Sequence, residues 1–214
     1  MEIGGRPILW HVIGIYAAQG FERFLLATGY LGEMVEQFAA GESWPGGVEV
    51  ECVDTGLDTP TGGRIARLGG RIEGETFCAT YADGVADIDL EALLDFHCEQ
   101  GPLGTVTVVQ PHLQWGVARL GDEGRVEGFV EKPRSEHWIN GGFFCFEPGA
   151  LDYIGEDSVL EREPLERLGR RSARRLPARG LLGLHGHLQG RGRAQRPLVL
   201  RQGALGSPCH RIRC

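Results

Sequence analysis

The segment TYADGVADID, Thr80 to Asp89, carries the densest chemistry in the chain. An apolar run from Thr76 to Thr80 opens into Tyr81-Ala82-Asp83-Gly84, and a helical pattern follows. Asp83 is thereby expected where a buried strand gives way to a loop. In open α/β sheets, ligands sit outside the carboxyl ends of the strands. A carboxylate there, beside a glycine that admits a ligand to the backbone, suits a hard cation such as Mg2+ that also touches a substrate phosphate. The same residues also describe a plain turn Asp ahead of a helix.

Other residues have the right types for anion and hydroxyl recognition. Thr61-Gly62-Gly63-Arg64 follows a strand and opens a helix. Glycines there let the backbone approach a base or a phosphate, and a guanidinium at Arg64 could fork onto a phosphate. An ordinary loop-to-helix junction has the same composition. Lys132, in Glu131-Lys132-Pro133, is the only lysine in the chain. It is either a point charge for an anion or a surface lysine in a turn, with Pro133 fixing the backbone after it. Asn140-Gly141-Gly142 precedes a strand, where an amide can read a hydroxyl as donor and acceptor or simply form an Asn-Gly turn. Tyr81 can pack on a ligand ring or on the core. The seven histidines have no ligand spacing with a Cys or Asp cluster, so no zinc site is expected.

These residues need rigid elements behind them. Pro7 to Ala18 reads as a helix with Ile8, Leu9, Val12, Ile13 and Tyr16 at helical spacing, and Gly20 ends it. A buried strand from Phe24 to Thr28 and a helix from Leu31 to Ala39 follow, then a strand from Val48 to Val53 and a short helix beginning over Ile65 to Leu68. Thr76 to Thr80 is the strand before Asp83, and Leu90 to Glu99 is a helix. Strands are expected at Thr105–Val109, Val117–Leu120, Val126–Val130 and Gly142–Phe146, with short helices at Pro148–Ile154 and Glu163–Leu168. Alternating strands and helices predict an α/β fold with a doubly wound, mostly parallel, Rossmann-like sheet.

Composition sets the bounds. A chain of 214 residues that is 42% hydrophobic can bury one α/β core, not two. No apolar run reaches membrane-spanning length and the N-terminus has no signal-peptide pattern, so a cytoplasmic location is expected. The six cysteines form no CxxC pair and read as reduced thiols. All 29 acidic residues precede residue 170, whereas 170–214 is arginine-rich.

In their order and spacing, Glu2-Ile-Gly-Gly-Arg-Pro-Ile-Leu-Trp-His11, Asp54-Thr-Gly through Arg64, Tyr81-Ala-Asp-Gly84, Glu131-Lys-Pro133 and Ile139-Asn-Gly-Gly-Phe-Phe144 resemble the sugar-1-phosphate nucleotidylyltransferases, nearest to those that cytidylylate glucose 1-phosphate. The resemblance runs from Glu2 to about Leu168. It implies attack of a glucose 1-phosphate oxygen on the α-phosphorus of CTP, with pyrophosphate released. It implies Asp83 and Lys132 as catalytic residues and Asp83 as the carboxylate for Mg2+. It implies Thr61, Gly62, Gly63, Arg64, Tyr81, Gly116, Glu131, Asn140 and Gly141 as substrate-binding residues, with Gly116 letting the hexose lie against the chain. CTP and glucose 1-phosphate are then the partners, neither nucleic acid nor membrane is expected, and the family is homo-oligomeric. UTP or dTTP as nucleotide, or a catalytically dead binding protein with a basic arm, are the alternatives.

Three departures from the family pattern bear on this. Ala82 replaces a common family glycine, and a short Gly-Glu-Ser-Trp-Pro-Gly-Gly connection replaces a longer segment that could select the base. Relatives begin with a strand and a GGxGTRL phosphate loop, which has no counterpart here. The fold is therefore expected to lack its first strand, to leave the strands near Phe24 and Thr76 without a neighbour, and to continue upstream of Met1 in the gene. Shifted by one base, Gly180 to Gly190 can be written from codons for GFWDCMDTYKD, a family segment holding the second metal carboxylate. Residues 1–169 are thus expected to form a partial nucleotidyltransferase domain, 170–214 a disordered, frameshifted tail, and the chain as written to be poorly folded and impaired in activity. The other reading of the tail is a nucleic-acid-binding arm.

Overall fold

The structure, a computed structural model, describes residues 2–177, 182–183 and 197–202, with side chains over 2–170. Strands β1 (Glu2–Ile3) and β2 (Arg6–Pro7) form a tight hairpin turned by Gly4 and Gly5, both at positive φ. Pro7 hands the chain to α1 (Ile8–Ala17), whose Ile8, Val12, Ile13 and Tyr16 form one buried face. There follow β3 (Phe21–Thr28), α2 (Gly32–Gly41), β4 (Glu49–Asp54), α3 (Thr61–Leu68), β5 (Phe77–Tyr81) and β6 (Val85–Ala86). Next come α4 (Leu90–Gln100), β7 (Gly104–Val109), β8 (Val117–Leu120), β9 (Val126–Val130) and β10 (Ile139–Phe146). The described elements end with α5 (Glu163–Ser172), β11 (Ala173–Pro177), β12 (Leu182–Gly183) and β13 (Pro197–Gln202). Asp89 caps α4 by accepting from the Ala92 N–H at 2.8 Å, and Gly101 closes it at φ 58°.

A seven-stranded sheet in the order β11-β7-β10-β5-β13-β3-β4 organises the molecule. Strands β3, β4, β5, β7 and β11 share one direction, and β10 and β13 run against them. Both faces are covered. Phe24 and Leu26 of β3 pack with α1 and α4, while Leu25 and Ala27, on the opposite face, pack with Ile65 and Leu68 of α3 and Leu168 of α5. A strand buried on both faces reads as a continuous apolar run, which is why Phe24 to Ala27 shows no alternation.

The strands on either side of the sheet centre do have a neighbour. β13 lies between β3 and β5, with Leu198 opposite both Leu26 and Thr80. This corrects the expectation that they stay unpaired. Open rows of N–H and C=O groups accept any extended segment that reaches them. α5 runs on to Ser172 and leads into β11, parallel to β7. Residues 178–181, 184–196 and 203–214 lie outside the described residues, and most of the frameshift reading falls there.

Of the element boundaries that moved, two bear on the candidate residues. α3 begins at Thr61 rather than near Ile65, and β10 begins at Ile139 rather than Gly142. The β10–β7 register shifts between Asn140 and Phe144, so Gly141-Gly142 is a bulge inside the strand. Cys52, Cys78 and Cys145 are free, as expected, whereas Cys98 is disulfide-bonded, which corrects the all-reduced reading. Cys98 is half-buried on α4 rather than sealed in the core. Among the described residues no helix is long and apolar enough to cross a membrane.

The side chain of His97 is fully buried between α4 and β7. Its ring nitrogens lie 2.8 Å from Thr105 Oγ1 and 3.2 Å from Glu147 Oε1. Burial lowers its pKa from 6.5 to about 4. The unfolded chain therefore binds a proton near pH 6.5 that the folded chain refuses until about pH 4. The stability contribution is complete above the unfolded pKa and is lost as pH falls through this window. Denaturant unfolding is expected to show a loss of about 2 kcal/mol between roughly pH 7 and 5 that His97→Gln removes. The same pH slope in both proteins would contradict this role.

Candidate functional site at the carboxyl edge of the sheet

The ladders bring the candidate residues to one edge. Thr28 pairs with Asp54 in the parallel β3–β4 ladder, so both strands end together. β5 points the same way and ends at Tyr81, followed by the exposed Asp83. β10 runs against β5, with Phe143 opposite Thr80, so its leading residues Asn140 and Gly141 start at the same edge. β7 also finishes there, with Val109 opposite Ile139.

Tyr81, Asn140 and Thr61 are brought together. Asn140 Nδ2 donates to Tyr81 Oη at 3.3 Å, and its Oδ1 accepts from the Gly142 N–H at 2.8 Å. Tyr81 Oη in turn donates to Glu161 Oε1. Thr61 Oγ1 donates to Glu161 Oε2 at 2.8 Å and accepts from the Leu160 N–H at 2.9 Å. Burial and the Glu161 carboxylate hold the Tyr81 phenol well above its ordinary pKa, so it stays protonated and acts as a donor. Gly142 holds φ 82°, and a Cβ there would lie 3.1 Å from Tyr81 Cδ2. A Cβ on Gly141 would lie 2.7 Å from Thr107 Oγ1, so the bulge needs both glycines.

Asp83 stands in the loop after β5. Partial burial raises its carboxyl pKa, and its own backbone N–H pulls the other way.

The Glu131-Lys132-Pro133 turn is held from β7's end. Lys132 has φ 45°, a left-handed conformation unusual for a side-chain-bearing residue. His112 Nδ1 lies 3.1 Å from the Lys132 carbonyl, and backbone bonds from Leu113 to Pro133 and from Ser135 to Pro111 fix the turn. Lys132 itself is exposed.

Four predicted residues, Arg64, Gly62, Gly63 and Gly116, take different positions from those expected. Arg64 is only 2% exposed. Its Nη1 donates to Thr28 O and Thr55 Oγ1, each at 2.6 Å, and Nη2 donates to Leu57 O at 3.3 Å. The guanidinium thus holds the ends of β3 and β4, where a fork onto phosphate was expected. The space beside Gly62 and Gly63 is filled by the backbone of Ser158 and Glu156, and the Gly63 N–H donates to Ser158 O at 3.1 Å. Beside Gly116, Phe129 and Glu131 occupy the space that the resemblance assigns to a hexose. A cavity of about 530 Å3 opens next to that hairpin, lined by Val117, Arg119, Phe129, Arg134 and His137, and none of the predicted site residues lines it.

Glu161 was not anticipated. It lies 80 residues from Tyr81 and 100 from Thr61, in an acidic stretch with no motif of its own. The one signal was Pro164 at the opening of α5, which places Glu161 just ahead of a helix start.

Comparison with known proteins gives the family. The family described as Nucleotidyl transferase matches residues 1–170. The chain is 35% identical over 189 residues to the probable glucose-1-phosphate cytidylyltransferase of Bacillus subtilis, covering 78% of this chain and 74% of that protein. It is 35% identical over 192 residues to the glucose-1-phosphate cytidylyltransferase of Salmonella typhi, covering 77% and 73%. Among solved structures, HddC from Yersinia pseudotuberculosis superposes with a TM-score of 0.65 at 18% identity, over 85% of this chain and 81% of that one. The last similarity speaks to the fold alone.

Gly63→Ala tests whether the α3 glycines serve packing. A Cβ there overlaps the Glu156 carbonyl, whereas one on Gly70 meets nothing within 4 Å. Gly63→Ala is expected to cost about 1–3 kcal/mol in denaturant unfolding, and Gly70→Ala less than about 0.5 kcal/mol. Equal stabilities would mean that the 155–161 segment is free to move aside.

Proposed function

The chain belongs to the nucleotidyl transferase family, and from that premise we propose that it transfers a cytidylyl group from CTP to glucose 1-phosphate, giving CDP-glucose and pyrophosphate. The observation that carries the reading is the collection of Tyr81, Asp83, Asn140 and the Lys132 turn at one sheet edge. A phosphate oxygen of the sugar attacks the α-phosphorus and pyrophosphate leaves. Such a displacement asks the protein for alignment and charge neutralisation rather than covalent chemistry.

Each residue has a part that follows from its position. Lys132, exposed on its left-handed turn, is the point charge for the sugar phosphate. Asn140, exposed at the start of β10, offers one N–H and one lone pair to a sugar hydroxyl. Glu131, also exposed, accepts from hydroxyls. Asp83 is the residue that would hold Mg2+. This cation keeps several waters and takes one or two carboxylates together with substrate phosphates. An exposed carboxylate at a strand end fits that habit, and no cluster of three or more His, Cys, Asp or Glu exists among the described residues to cage the ion without substrate. When bound, Mg2+ supplies positive charge to the reacting phosphate oxygens.

Pyrophosphate release with glucose 1-phosphate and each of CTP, UTP and dTTP tests the reading. CTP is expected to give the highest kcat/KM, and preference for another nucleotide would reassign the base. Asp83→Asn is expected to lower kcat by roughly 100-fold or more while leaving the unfolding midpoint near wild type. Lys132→Ala is expected to raise the glucose 1-phosphate KM or lower kcat, by roughly tenfold. Near-normal kinetics in either variant would remove that residue from the site.

A further inference from the structure

We propose that Glu161 is a positioning residue that sets the direction of a hydrogen-bond chain ending at Asn140, and so fixes how the site reads a sugar hydroxyl. The inference rests on the cytidylyltransferase reading and adds to it a residue outside every motif in the sequence.

The argument is one of donors and acceptors. An ionised carboxylate only accepts. The Thr61 hydroxyl accepts from the Leu160 N–H, which leaves its proton for Glu161 Oε2 at 2.8 Å. The Tyr81 hydroxyl has one proton, and it goes to Glu161 Oε1. Tyr81 Oη must then accept from its other neighbour, Asn140, so the amide is forced to turn Nδ2 toward it. At its far end Asn140 Oδ1 accepts from the Gly142 N–H, which demands the same orientation. The amide is therefore pinned from both sides, with one N–H and one lone pair left outward. That pair of groups matches a hydroxyl, which both donates and accepts, and does not match a phosphate oxygen, which only accepts. Asn140 is exposed, so the outward pair is accessible.

Glu161 is held in place for this role. The 155–161 segment lies against the α3 glycines, with Gly63 N–H donating to Ser158 O at 3.1 Å and Arg67 Nε 3.4 Å from Glu156 Oε2. Replacing the carboxylate by an amide introduces a donor where two hydroxyl protons arrive. One of those hydroxyls must reverse, and if Tyr81 reverses, Asn140 Nδ2 loses its acceptor and the amide is held by the Gly142 N–H alone.

The test is steady-state kinetics with CTP and glucose 1-phosphate, and calorimetric binding of glucose 1-phosphate, for wild type, Glu161→Gln, Glu161→Asp, Tyr81→Phe and the Glu161→Gln/Tyr81→Phe pair. Glu161→Gln is expected to raise the glucose 1-phosphate KM roughly tenfold, a loss on the scale of one charge-assisted hydrogen bond. The CTP KM, kcat and unfolding midpoint are expected to stay within about twofold or near wild type. The double variant is expected to be no worse than either single one, because the chain is already broken. Glu161→Asp keeps the acceptor but shortens the reach, and is expected to recover part of the loss. Additive effects of the two singles, a change confined to the CTP KM, or wild-type kinetics in Glu161→Gln would overturn the proposal. A wild-type protein that neither turns over nor binds glucose 1-phosphate would instead overturn the functional reading, and this inference with it.

Discussion

The guanidinium of Arg64 lies under the joined ends of β3 and β4, and the loops of the sheet edge bend inward to meet it. Taking such a cation out of water costs several kcal/mol unless oxygens surround it. Here Thr28 O, Thr55 Oγ1 and Leu57 O are turned toward it. Those contacts dictate the residues around them. A Cβ on Gly29 would lie 2.9 Å from both terminal guanidinium nitrogens, so the turn after β3 needs a glycine. Gly56 takes φ 93°, and its N–H is bound by Asp54 Oδ1 at 2.9 Å, so the chain doubles back after β4. Arg67, one turn further along α3, donates to Thr55 O at 2.6 Å and to Thr59 Oγ1 at 2.8 Å.

From this anchor the order passes outward. α3 is fixed by Arg64 and Arg67, and its N-terminal glycines receive the 156–158 backbone. That segment delivers Glu161 to Thr61 and Tyr81, and Tyr81 delivers the constraint to Asn140. The interior of the molecule thus supports the exposed edge through a continuous set of hydrogen bonds. The Lys132 turn is attached separately, through His112 in the loop that follows β7. Polar groups on rigid elements, supported by a second layer that locks their orientation, are what precise recognition requires.

Much of this was legible in the sequence, for identifiable reasons. Val117–Leu120 and Val126–Val130 were legible to the residue because turn residues flank a short apolar alternation. Asp83 at a strand end followed from the apolar run that stops at Thr80, and the edge location of Asn140 from its place ahead of Phe143 and Phe144. The role of Arg64 was not legible, because an arginine after two glycines has the same local composition whether it points to solvent or inward. Gly62 and Gly63 show the same ambiguity. A glycine announces close approach but not what approaches, and here it is Ser158 and Glu156. Glu161 was invisible because its partners are distant in sequence and carboxylates are common around it. The pairing of β13 between β3 and β5 was equally hidden, since local pattern says nothing about which extended segment meets an open ladder.

The central claim is that one edge of the sheet receives both substrates. Amide hydrogen exchange with CDP-glucose and Mg2+ present, compared with the free chain, tests it most directly. The account predicts slowed exchange across residues 54–64, 81–89 and 131–142, with the strands behind them unchanged. Protection confined to the exposed hairpin of residues 117–130, or no protection at 81–89, would contradict it.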